Sequence, residues 1–239
     1  MSLNASKIKG STKFKPTEAL EPGTFPSRLV QVIGLGLQKQ DAYMGEPKPP
    51  RHKVWVTYEL ADEFMLDEDG KELEDKPRWV SEDFALFSLD SDLATSTKRY
   101  LAIDPAGAHG GDWAQLLGAP CSVTLVKNVG KGKNAGRFFN NVASVQTMRA
   151  KDVDKLPPLK NEGKVFDPSA PDMEVFASLP EFLQDRIKEN LEYEGSKLQK
   201  LVEGQGKSSE GESAQTPENE PQTPPQDVSE ASTDDEADW

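Results

Sequence analysis

Cysteine, histidine and long apolar runs are scarce in this chain of 239 residues. Its one cysteine, Cys121, excludes an intrachain disulfide and fits a reducing compartment. Two histidines, His52 and His109, without a Cys/His cluster exclude a structural zinc site. The longest apolar stretch, Leu29 to Leu37, holds a Gln and two Gly. A membrane-crossing helix needs about 20 apolar residues, so no membrane partner is expected. The N-terminus lacks the apolar segment of a signal peptide. Hydrophobic residues make up only 35%, and mean hydropathy is −0.66. That is low for a chain folded throughout, so a folded core with a disordered appendage is expected.

Catalytic and cofactor signatures are missing too. Asp67, Asp69 and Gly70 suggest a calcium loop, but Met65 and Lys76 then occupy its first and last ligand positions. Gly34-Leu35-Gly36 lacks the third glycine of a dinucleotide loop. Residues 130–136 lack the Gly-Lys-Ser/Thr of a phosphate loop. The acids between Asp62 and Asp75 could hold magnesium for a nuclease, but consecutive hairpin acids fit a solvated face better. The chain is therefore expected to be no enzyme and to carry no cofactor or metal.

Charge is abundant and uneven. The net charge is −13. Residues 207–239 hold ten acids and one lysine, a net of −9. The body is then nearly balanced, and its acidity does not exclude a nucleic-acid partner.

Residues 1–23 carry Lys7, Lys9, Lys13 and Lys15 with no acid before Glu18, which suggests a flexible basic arm. A core over 24–150 follows. Strands are expected over Arg28–Leu37, with a bulge at Gly34 and Gly36, over Lys53–Leu60, and over Trp79–Phe87. In the second of these, Val54, Val56, Tyr58 and Leu60 alternate with Lys53, Trp55, Thr57 and Glu59, the mark of a half-buried strand. Asp69-Gly70 supplies a turn. A helix over about Asp92–Ala102 has Ser91 or Asp90 as cap and Leu93, Thr97, Tyr100 and Leu101 on one face. A short helical turn at Trp113–Leu117, capped by Asp112, precedes strands over Cys121–Lys127 and Phe138–Val145. Beyond the core, 151–203 is an extended segment plus a helix over about 179–193, opened by the capping pattern Ser178-Leu179-Pro180-Glu181 and packed on the core. Residues 204–239 are almost free of apolar side chains and are expected to be disordered.

Three strands, a helix, then two strands is the element order of an OB-fold. The fold class expected is thus mainly β: a five-stranded OB-fold-like barrel with a helix between strands three and four, a C-terminal helix and a disordered acidic tail. In such a barrel the first and fourth strand connections flank a face that binds oligonucleotides. Here the first connection carries Lys39, Tyr43, Lys48, Arg51 and Lys53, stiffened by Pro47, Pro49 and Pro50. The fourth carries Lys127, Lys131, Lys133 and Arg137, followed by Phe138 and Phe139. Cations meet phosphates, and rings stack on bases without reading sequence. Trp55, on the polar face of its strand, joins this set. Of the adjacent Phe138 and Phe139, which point to opposite sides of a strand, one is expected in the core. Tyr58 and Trp79 are also expected there.

The tail ends Asp234-Asp235-Glu236-Ala237-Asp238-Trp239. An aromatic at the end of an acidic chain can dock in an apolar pocket with a basic rim. It can also fold back on the chain's own basic groove and compete with nucleic acid.

The segment from Glu21 to about Tyr193 resembles bacteriophage single-stranded DNA-binding proteins of the OB-fold type. The resemblance rests on Glu21-Pro22-Gly23-Thr24-Phe25-Pro26-Ser27-Arg28-Leu29, Val56-Thr57-Tyr58-Glu59-Leu60, Lys76-Pro77-Arg78-Trp79, Ser96-Thr97-Lys98-Arg99-Tyr100, Asn141-Val142-Ala143-Ser144-Val145, and Val175-Phe176 through Leu179-Pro180. The tail resembles the acidic, aromatic-ended tip of bacterial and phage single-stranded DNA-binding proteins, although the bacterial tip ends Ile-Pro-Phe. The resemblance implies sequence-tolerant binding and protection of single-stranded DNA during phage replication or recombination, in the cytoplasm of the infected host. It also implies recruitment of replication or recombination proteins through the tail; a homo-oligomer is compatible with it. A phage structural or scaffolding protein using the tail for assembly is the alternative, and a metal-dependent nuclease or a recombination factor is a third.

Overall fold

A computed structural model describes residues 18–42, 44–132 and 135–207. The basic arm before Glu18, Tyr43, Lys133 and the acidic tail, with Asp234, Asp235, Glu236, Asp238 and Trp239, lie outside the described residues.

The chain is mainly β. Strands β1 (Gly23–Gln38), β2 (Arg51–Leu66), β3 (Glu72–Ala85), β4 (Pro120–Val129) and β5 (Phe138–Gln146) form one antiparallel path in the order β3-β2-β1-β4-β5. A short β6 (Lys164–Phe166) pairs parallel with β1 at Gln31–Ile33. Strands β3 and β5 are the two edges, and no ladder joins them among the described residues.

The β2–β3 hairpin is longer than expected. The strands run on past Leu60, with Phe64 opposite Pro77 and Leu66 opposite Glu72, so Asp62, Glu63, Glu72, Glu74 and Asp75 lie within β2 and β3. The turn at its tip is held by Asp67, whose Oδ1 accepts from the backbone N–H of Asp69 and Lys71 at 3.0 and 2.8 Å.

Helix α1 (Thr95–Ile103) follows β3. It starts later than the Ser91/Asp90 cap would place it, and Ala94 at its N-cap gives no side-chain bond. Successive turns at Ser88–Ser91 and Ser91–Ala94 occupy the expected first turn instead. Thr97 and Tyr100 are buried, whereas Leu93 and Leu101 face solvent. A 3-10 turn at Trp113–Leu116 is capped by Asp112, which accepts from Ala114 N–H.

One face of the sheet closes on a core of Leu29, Val54, Val56, Tyr58, Val80, Phe84, Tyr100, Leu125 and their neighbours. Tyr58 and Cys121 are fully enclosed there, and burial pushes the Tyr58 hydroxyl well up and the Cys121 thiol up to about 12. A buried cation joins the two sheet edges. Arg99 of α1 donates from Nε and Nη2 to both Glu82 oxygens on β3, at 2.9 and 3.2 Å, and from Nη2 to the Ala143 carbonyl on β5, at 3.3 Å.

The other face of β1 is also covered. Ile33 and Leu35 pack with Phe166, Phe176, Leu179, Leu183, Ile187 and Leu198 in a second core. These come from β6 and from α3 (Met173–Ser178), α4 (Glu181–Lys188) and α5 (Lys197–Lys207), which follow the small helix α2 (Ala150–Val153). The single helix expected over 179–193 is thus only α4, flanked by two others. Pro180 is its N-cap, and Ser178 donates to Val175 O rather than capping. Leu191 lies beyond α4 and is exposed, and α5 runs past Gly204 to Lys207. Two glycines let this layer approach β1. A Cβ on Gly34 would stand 2.8 Å from Pro168 Cδ, and one on Gly36 (φ +72°) 2.7 Å from Asn190 Cγ.

That cover corrects the half-buried reading of β2. Thr57 and Glu59 point away from the first core yet are buried, at 2% and 5% exposed. Glu59 accepts from the backbone N–H of Lys160 and Asn161, both at 2.9 Å, and from Asn161 Nδ2 at 2.7 Å. A buried carboxylate satisfied by three donors pins the extension across the sheet. Among the described residues no helix is long and apolar enough to cross a membrane.

Candidate nucleic-acid interface

The ladder between β2 and β3 determines which side chains can meet a ligand. Directly paired residues share a face. Trp55 pairs with Asp83, Thr57 with Ser81, and Glu59 with Trp79, without a register shift between them. The outward row on β2 is therefore Arg51, Lys53, Trp55, Thr57 and Glu59; on β3 and just beyond it is Trp79, Ser81, Asp83, Ala85 and Phe87. The extension covers the β2 row; on the β3 row it meets Asp83 through Arg186 and leaves Trp79 and Phe87 exposed. Trp79 is 52% exposed, contrary to its expected place in the core.

Trp79 meets the start of β5. Phe138 and Phe139 are both exposed, at 54% and 41%, so neither is the core residue that strand alternation predicts. Their strand is an edge of the hydrogen-bonded path. Trp79, Phe138 and Phe139 line one open cavity of about 270 Å³ between β3 and β5, together with Leu20, Arg78 and Asn140. The N-terminal segment straps this gap. Leu20 N–H donates to Asn140 Oδ1 at 2.7 Å, and Asn140 Nδ2 returns a bond to Leu20 O at 2.8 Å. Arg78 donates to Glu18 O at 2.8 Å. Partial burial lowers the Arg78 pKa from its ordinary value, with Glu63 opposing. Glu18 and Leu20 thus stand beside the ring cluster.

The cations expected in the two connections differ in their surroundings. Lys127 pairs with Glu21 at 2.5 Å and lies 5.0 Å from the Phe138 ring centroid. Lys131 and Arg137 are exposed beyond it. At the other end of β3, the Arg51 guanidinium sits 4.1 Å over the Phe87 ring. Lys53 reaches Asp83 at 3.8 Å. Lys39 and Lys48 are exposed on the first connection. Trp55 is not a free ring: α4 half buries it, and Phe182 meets it edge-on at 5.5 Å.

Ring and cation therefore occur together at both ends of the open row. Trp79 and Phe87 are eight residues apart, about 26 Å along an extended strand. The two connections lie at opposite ends of β1, and β3 is what joins them. Sequence reasoning missed Trp79, Arg78, Phe87 and Phe182. Only Trp79 had a usable signal: its odd position on β3 opposes Glu59 rather than a core residue of β2. Among the described residues no three His, Cys, Asp or Glu side chains converge as a metal site. No family model, curated protein or solved structure matches the chain.

Proposed function

We propose that this chain is a non-catalytic, sequence-tolerant single-stranded DNA-binding protein of OB-fold type. The observation that carries the reading is the open β3 row. Exposed rings at Trp79, Phe138 and Phe139 at one end and Phe87 at the other, with Lys127 beside Phe138 and Arg51 over Phe87, stand where an aqueous protein ordinarily hides such rings. Stacking on rings and salt-dependent phosphate contact are how single strands are held without sequence readout.

The strand order supports the fold assignment. An open path β3-β2-β1-β4-β5 is an OB barrel opened along the β3–β5 seam, with α1 between strands three and four. Arg99 spans that seam in place of a ladder. An OB-fold binds through strands two and three and the two flanking connections. Here the extension leaves β3 as the available part of that face. The role in phage replication or recombination, the host cytoplasm, and recruitment through the acidic tail follow from the sequence resemblance and belong to the same proposal.

The test is a titration of the full chain with a labelled single strand and with its duplex at two salt concentrations, read by anisotropy and by tryptophan quenching. Tight, salt-sensitive, single-strand-preferring binding is expected. Trp79→Ala should weaken it by about 1–3 kcal/mol, the value of one stacked base, and remove part of the quenching. Absence of binding at low salt overturns the reading. Equal affinity for duplex would move it to a general polyanion binder.

A further inference from the structure

The open row does not end at the sheet, because α4 lies against its β1–β2 side. Phe182 and Arg186 stand four residues apart on α4 and share one face. Their successors Leu183 and Ile187 are buried in the second core, so the orientation of the helix is set. Phe182 packs its edge against Trp55, with ring planes 65° apart, yet remains 52% exposed. Arg186 Nη2 donates to Asp83 at 2.9 Å, and its guanidinium lies 5.9 Å from the Trp55 ring. Lys53 approaches the same Asp83 oxygen. Two cations thus share one carboxylate beside two rings. The helix is held as a wall: Gln38 Nε2 donates to both Arg186 O and Leu35 O, at 2.8 and 2.7 Å.

Packing alone does not account for Phe182. Its inner edge covers Trp55, and a leucine would do that with less exposed apolar surface. A half-exposed ring over a half-buried indole, with a guanidinium alongside, presents a stacking face and a phosphate donor together. The register places this group four residues from Trp79 on the same face, about 13 Å along the ladder.

We infer that α4 forms a second wall of the nucleic-acid track, with Phe182 stacking a base and Arg186 and Lys53 meeting the adjoining phosphates. The inference rests on the single-strand reading above. It gives the C-terminal extension a part in binding that no feature of the sequence suggested.

The experiment uses the full chain and a labelled thymidine strand of about 15 nucleotides, within the span of an OB-fold site. Phe182→Leu keeps an apolar group on Trp55 and removes the ring. It should weaken binding about five- to a hundredfold with an unchanged thermal midpoint. Phe182→Tyr should bind as the parent does. Arg186→Gln should flatten the slope of log K against log salt by about 0.7, one phosphate contact. Parent-like binding by Phe182→Leu, while Trp79→Ala still weakens, overturns the α4 wall and leaves the β3 reading in place. Equal loss in the Leu and Tyr variants overturns the stacking role. Failure of the parent chain to bind the strand overturns both readings.

Discussion

Arg99→Met addresses what holds the two sheet edges together. The Arg99 side chain is 9% exposed and its partner Glu82 is 15% exposed, so solvent screens the pair little. Methionine can occupy most of the same volume. It leaves the Glu82 carboxylate enclosed with the Tyr58 hydroxyl, at 3.1 Å, as its remaining hydrogen bond among the described residues. Removing one partner of a buried pair costs about 3–5 kcal/mol, because the other charge is stranded. The bond to the Ala143 carbonyl goes with it. Domains of ordinary size are stable by about 5–15 kcal/mol, so the variant should lose a large share of its stability. Urea denaturation followed by tryptophan fluorescence reads this, since Trp113 packs on Tyr100 of α1 at 5.5 Å. The double variant Arg99→Met/Glu82→Gln supplies the internal check. Glutamine keeps an acceptor for Tyr58 and removes the stranded charge. The double variant should therefore be more stable than Arg99→Met alone, by about 1–3 kcal/mol. If Arg99→Met lies within about 0.5 kcal/mol of the parent, or the double variant is no better than the single one, the seam is not held by this pair.

Further outcomes follow from the site and the core. Replacing Lys131, Lys133 and Arg137 together with Ala should weaken single-strand binding and flatten its salt slope by up to about 2, at roughly 0.7 per phosphate contact; an unchanged slope removes the β4–β5 connection from the interface. Deleting residues 208–239 takes away ten acids and no base. Binding should then be intact or tighter, and weaker binding in the same titration contradicts competition by the tail. Cys121 should resist a thiol-reactive dye at pH 8 in the native protein and react at once in urea, since its folded thiol titrates near 12. Because that pKa is raised, its contribution to stability is complete below the unfolded thiol value of about 8.5. The contribution declines as pH rises from there toward 12, which denaturation midpoints across that range can follow.

The succession of strands along the chain was legible because period-two alternation and turn chemistry are local. Val54, Val56, Tyr58 and Leu60 all face the first core, and Gly36 takes a positive φ at a shift in the β1 register. Long-range cover was not legible. Nothing near Thr57 or Glu59 in sequence announces that the backbone of residues 160–161 will lie over them. Nor could the capping pattern at Ser178 reveal that Pro180 would take the cap and that a separate short helix would precede it. The cations of the two connections were found from composition. The partners of Lys127, Arg51 and Lys53 were not, because Glu21, Phe87 and Asp83 are distant from them in sequence.

The aromatics show most clearly how topology overrides residue type. A tryptophan or phenylalanine on a strand is read as core because burial is its usual state. That inference assumes a neighbour on both sides. Trp79 and Phe138 stand on the two strands that end the hydrogen-bonded path, so each lacks a strand on one flank. The C-terminal layer could have covered them, but Gly34 and Gly36 seat it over β1, and Glu59 draws its leading segment across β2. Cover therefore thins past β2, meeting β3 at Asp83 through Arg186 and at Glu74 through Lys160 while Trp79 stays open. Rings collect along that boundary: Phe182 and Trp55 on the covered side, Trp79 on the open side, with Phe138 and Phe139 across the seam. The β3 row therefore keeps Trp79 and Phe87 exposed at its two ends, with Ser81, Asp83 and Ala85 between them.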